Sequence, residues 1–140
     1  MLRLMMDGAP EIGVILFDRA RRITFWNAGA VRLFGHAAEA MLGAPAARLF
    51  VPEDVQRGAD RQEFDVAQVE GVAQDDRWHL RADGSRFWAS GFLVRVRAPD
   101  GRDLGFGKVL RNRTDIKEQL EALRSQVQAA ERRIEQNAGP

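Results

Sequence analysis

Two Asp-Gly pairs, Asp83-Gly84 and Asp100-Gly101, punctuate the stretch from Arg77 to Asp115, which is otherwise rich in aromatic and β-branched residues. Gly takes positive φ without steric cost and Asp folds its carboxylate onto nearby amides, so each pair is a hairpin signal. The runs they separate are short enough to be strands. The pattern predicts a meander of three antiparallel strands, and any fold for this chain must be built onto it.

At 140 residues the chain fits one domain with one sizeable core. It has no cysteine, which removes disulfides, thiolate metal sites and thiol nucleophiles together and fits a reducing, cytoplasmic setting. The net charge is +1 and the arginines are scattered, so no dedicated nucleic-acid surface is expected. The apolar start, Met1 to Met6, is interrupted by Arg3 and falls far short of the ~20 residues of a membrane span.

Residues 1 to 10 form a candidate N-terminal cap. Ile12 to Asp18 and Arg22 to Asn27 read as a first hairpin. From Ala28 to Leu42 the spacing turns helical, broken at Gly35 and Gly43; Ala44 to Pro52 is loop-like. Glu53 to Gly71 reads as one longer helix with Pro52 ahead of its acidic first turn. Strand, strand, helices, then three strands is an α+β order, with helices gathered on one face of an antiparallel sheet.

Asp115 and Glu118 have the spacing of a capping box that would start a last helix. Along it, Ile116, Leu120, Leu123, Val127, Ala130 and Ile134 alternate at spacings of four and three, a heptad seam. A rod of this kind, roughly 34 Å long, needs a partner surface. A parallel homodimer is expected, with packing back on the chain's own sheet as the alternative. No catalytic constellation, phosphate loop or metal-binding motif is present, so the chain itself is not expected to be an enzyme.

The order of motifs ArgTrpHisLeuArgAlaAspGly, SerArgPheTrpAlaSerGly and GlyPheGlyLysValLeuArgAsnArgThrAsp-IleLysGlu closely resembles the last strands and exit junction of PAS domains, the bacterial sensor modules often joined to histidine kinases. The resemblance implies a five-stranded sheet in the order 2-1-5-4-3 and a division into cap (1–10), sensory domain (11–114) and signalling helix (115–140). It also makes Asp115 the signal junction, although Lys117 stands where Thr is usual. The function implied is sensing, with a signal passed through the dimeric helix to an output domain such as a histidine kinase outside this chain. The alternative is an interaction module without ligand.

The pocket implied by the resemblance lies between the helices and the sheet, with His79, Ala89, Phe106, Lys108 and Leu110 as its candidate lining. In the flavin-binding LOV branch of the family, the positions matching His79, Ala89 and Leu110 carry Asn, Asn and Gln, and the adduct-forming Cys falls near Ala46; all are replaced here, which excludes that photochemistry. Haem is disfavoured because no histidine lies on the long helix, and the cofactor stays open. Strand parity places Lys108 with Leu104, Phe106 and Leu110, so an inward Lys108 beside His79 would attract a small anionic ligand, or else pair with Asp60, Glu63 or Asp65. A cavity lined by His79 would favour sensing, and a closed core assembly. Trp78, Trp88 and Phe92 would then share the outer face as a partner surface.

Overall fold

The computed structural model describes residues 11–138. The candidate cap at residues 1–10 lies outside them. β1 (Ile12–Phe17) and β2 (Ile23–Trp26) form the first hairpin, reversed by Arg21 at φ 66°. α1 (Ala28–Phe34) begins where the Asn27 Oδ1 accepts from the Ala30 amide at 2.8 Å. It ends at Gly35, whose left-handed backbone returns its N–H to Val31. A four-residue α2 (Ala38–Met41) and a 3-10 turn at Ala46–Leu49 follow.

The single helix expected from Glu53 to Gly71 is two: α3 (Pro52–Gln56) and α4 (Ala59–Glu70). Gly58 separates them at φ 76°, a left-handed conformation that ends one helix and re-aims the next. α4 buries Ala59, Glu63, Phe64 and Ala67.

Next come β3 (Val72–Gln74), β4 (Arg77–Leu80), β5 (Arg86–Arg97) and β6 (Asp103–Asn112), ahead of α5 (Thr114–Asn137). Both Asp-Gly pairs are turns, with Gly84 and Gly101 at φ 86° and 88°. The Asp83 carboxylate accepts from the amide and hydroxyl of Ser85.

The sheet runs β2-β1-β6-β5-β3, with β4 also on β5. It has six strands where five were expected, because the far edge is split. Gln74 faces Phe92 and Arg77 faces Ala89, so β3 and β4 continue one register along β5. Only Asp75 and Asp76 interrupt it, and the Asp75 amide still donates to Gly91 at 2.9 Å. The expected order of positions therefore holds.

All helices except α5 cover one face, around a core that includes Ile15, Trp26, Phe34, Phe50, Phe64, Phe87, Leu93 and Leu110. Parity resolves as Ala73, His79, Phe87, Ala89 and Leu93 inward, with Phe92 outward and 52% exposed. Leu104, placed inward by parity, is instead half exposed. A bulge explains it: the β5–β6 register shifts between Val96 and Arg97, opposite Gly105 at φ 129°. A Cβ on Gly105 would stand 2.0 Å from the Phe17 carbonyl, so the bulge depends on glycine. α5 has no buried residue, and among the described residues its main contact is with β5.

Candidate functional site: a buried charge cluster and the helix junction

The interior that the helices close over the sheet contains charge. Glu63, on the buried stripe of α4, Asp75, in the break of the edge ribbon, His79 on β4 and Lys108 on β6 are all buried. Lys108 Nζ lies 2.7 Å from Glu63 Oε2 and 3.0 Å from Asp75 Oδ2, and 4.7 Å from the centre of the Phe50 ring. Arg77 reaches in from the rim, its Nε 3.1 Å from Asp75 and 3.3 Å from Glu63, while its Nη1 lies 3.6 Å from Asp54. His79 joins the cluster through Nε2, 2.8 Å from Asp75 Oδ2, and its Nδ1 faces the Leu49 carbonyl at 2.9 Å. Phe34, Phe50 and Phe87 pack against the imidazole.

Burial pushes Glu63 up to about 8; Lys108 counters that rise and Asp75 adds to it. Burial would raise Asp75 too, but His79 and Lys108 outweigh it and hold that carboxyl well below its ordinary range. For Lys108, burial works against the ammonium and the two carboxylates overcome it, so its pKa is raised.

All five candidate pocket residues lie on the inner face. His79 and Lys108 meet through Asp75; Ala89 and Leu110 are packed core, and Phe106 stacks edge-on against Phe64 at 5.0 Å. Of the three acids weighed against Lys108, Glu63 is its partner, while Asp65 pairs with Arg21 at the surface at 2.7 Å. The place imagined for an anionic ligand beside Lys108 is thus taken by two carboxylates of the chain. Gly91 is packed against the neighbouring strand, where a Cβ would stand 2.0 Å from the Val109 carbonyl. Asp75 was not singled out from the sequence. Its parity with Ala73, Arg77 and His79 along the edge was the available signal, as was the i, i+4 spacing of Ala59, Glu63 and Ala67 on α4.

On the outer face, Trp78 and Trp88 face one another across β4 and β5 with rings edge-to-face at 5.5 Å. Both are half-buried, whereas Phe92 is open. Trp88 also holds the start of α5. Its carbonyl accepts from Arg113 at 2.7 Å, its amide donates to the Thr114 hydroxyl at 2.9 Å, and its ring carries Lys117 Nζ at 4.3 Å. The capping box expected at Asp115 and Glu118 does not form. α5 begins one residue earlier, with Arg113 at the cap position and no side-chain cap. Trp88 engages the Thr114 hydroxyl and so draws the first turn onto the sheet, leaving Asp115 exposed in it.

Among the described residues no helix is long and apolar enough to cross a membrane. A family model described as the PAS fold matches residues 1–113. A curated relative, Two-component system protein A of Emericella nidulans, is 34% identical over 116 residues, which is 83% of this chain. The match spans only 17% of that protein's length. Among solved structures, the PAS domain of a protein from Colwellia psychrerythraea aligns with a TM-score of 0.68 at 20% identity, over 82% of this chain and 99% of that one. The light-state LOV domain of the photoreceptor Aureochrome1 aligns at 0.65 and 20%, over 90% and 99%. An RNA-binding light-oxygen-voltage receptor aligns at 0.68 and 22%, over 94% of this chain and 38% of that one. At such identities these structures share the fold and nothing more is carried over from them. The family model covers most of the chain and the fold is that of the solved structures it aligns with, so this chain belongs to the PAS family.

Proposed function

We propose that this PAS sensory domain works in two-component signalling, in a cytoplasmic setting, as the input of a histidine kinase or related regulator. A signal received in the domain passes through the junction at Arg113–Asp115 to α5, which pairs in parallel with α5 of a second copy and leads to the output domain. The relative named for a two-component system supports the setting. The observation that carries the reading is α5 itself: 24 residues, none buried, with Leu120, Leu123, Val127 and Ile134 on one stripe at 49 to 68% exposure. A helix with such a stripe is stabilised by a partner and hardly at all by itself.

Sedimentation of the whole chain tests this. A dimer that Leu123→Lys and Val127→Lys together turn into a folded monomer is the expected result. A wild-type monomer at high micromolar concentration would overturn it.

The second reading is an interaction module with no ligand. The observation favouring it is the closed interior, in which Lys108 is engaged by Glu63 and Asp75. Phe92 and its exposed neighbours Val109 and Ile12 would then supply the partner surface with Trp78 and Trp88.

A further inference from the structure

A carboxylate as deeply buried as Glu63 is normally kept ionised by several aligned donors. Glu63 has none: its side chain is inaccessible, and neither oxygen accepts an aligned hydrogen bond, although Lys108 and Arg77 lie at ion-pair distance. Among the fully buried side chains of the described residues, Lys108 is the one cation beside two carboxylates; the second carboxylate is balanced only from the rim, by the partly accessible Arg77, in a site walled by phenylalanines. His79 makes the point independently, because its two ring nitrogens both face acceptors, the Leu49 carbonyl and the Asp75 carboxylate. A neutral imidazole has one N–H and can satisfy only one of them unless Asp75 is protonated. One further proton completes the hydrogen bonding of the Glu63 carboxyl and of the His79 ring.

We propose that the Glu63–Asp75–His79–Lys108 cluster is a proton-binding site, and that the proton it shares is the ligand this domain senses. The proposal rests on the sensory reading above and answers what a closed interior can detect. A proton needs no cavity, only a site that is incomplete without it. The proton belongs to the cluster as a whole.

The groups facing Glu63 are few. α4 itself adds Asp60 and Arg61, which lie at a shallow surface hollow, and Asp65, which is paired with Arg21. α3 brings Asp54, held by Arg57 at 2.8 Å. β4 brings Arg77 and His79, β6 brings Lys108, and β3 and β5 present the apolar Ala73, Ala89 and Leu93. When the proton leaves, Arg77 is the neighbouring cation able to move inward, since its side chain is 19% accessible and it already lies near both carboxylates. Arg77 and His79 flank Trp78 on β4, Trp78 packs on Trp88, and Trp88 holds the first turn of α5. A shift of β4 therefore reaches the exit helix through its pairing with β5 and the Trp78–Trp88 ring pair.

The test is a carbon-13 carboxyl titration of Glu63 in the whole protein between pH 5.5 and 9.5, with the amides of Trp88 and Thr114 followed in the same samples. The expected result is one ionisation with a midpoint near 8, shared by the Glu63 carboxyl and both amides. Glu63→Gln should abolish it while leaving the spectrum at pH 6 unchanged. A Glu63 signal flat across the range, or amides that ignore its titration, overturns the proposal. If Glu63→Gln does not fold, the wild-type titration decides alone. Sedimentation at pH 6 keeps the two readings apart: a dimer with a flat titration removes the proton and keeps the helix, whereas a monomer that titrates does the reverse.

Discussion

Lys108 stands between Phe106 and Leu110 on the inner face of β6, where only two carboxylates within 3.0 Å make an ammonium tolerable. Replacing it with Met leaves both acids buried without their shared cation. Lys108→Met should therefore lose about 3–5 kcal/mol in urea unfolding at pH 7. Glu63 gives the pH dependence its sign. Its folded value, about 8, is above the ordinary 4.5 of a free glutamate, so the native state holds a proton that the unfolded chain has released. Wild-type stability should fall as pH rises from about 5 to about 8, then level, whereas Glu63→Gln should be flat over that window; urea midpoints at half-unit steps check it. Asp75, held low, acts oppositely, its contribution vanishing only as pH drops below its ordinary range. At this scale strand parity made Lys108 legible and named Glu63 among its partners. Asp75 was missed because nothing in the sequence sets it apart from the adjacent Asp76, although it turns inward and is fully buried.

The elements were legible where a local rule acts alone. Both Asp-Gly hairpins and the stop at Gly35 follow from backbone conformations that few other residues adopt. Gly58 looked like one more residue in a helical run, because its left-handed angle is set by how α3 and α4 must each dock. The bulge at Gly105 flipped Leu104 against parity for a similar tertiary reason, the approach of the Phe17 carbonyl. Gly105→Ala should cost about 2–3 kcal/mol from backbone strain alone, and more from that contact, as read by thermal or urea unfolding. The start of α5 is also tertiary: Trp88 outcompetes the Asp115 capping box. Trp88→Ala should remove both the ring under Lys117 and the packing of Trp78. Hydrogen exchange should then show earlier opening of the first turn of α5, at Lys117, with the amides of β1 and β6 unchanged.

At the scale of the whole molecule, the described residues form a domain with a buried charge cluster and an exit helix whose apolar stripe is exposed. The heptad spacing was plain in the sequence, since it needs only the helical period. Which surface covers it is not written in that period, because the flanking charges form no complementary code. In the proposed assembly α5 pairs in parallel with α5 of a second copy. The absence of native cysteines allows one spin label per chain at Gln136→Cys, near the end of α5, and a pulsed dipolar distance measurement between copies. Helices paired in parallel lie about 8–10 Å apart, so the two labels should be close, with a narrow distribution. Antiparallel pairing would separate them by about the length of the helix, roughly 36 Å. Either that long distance or no dipolar coupling at all would rule out a parallel pair.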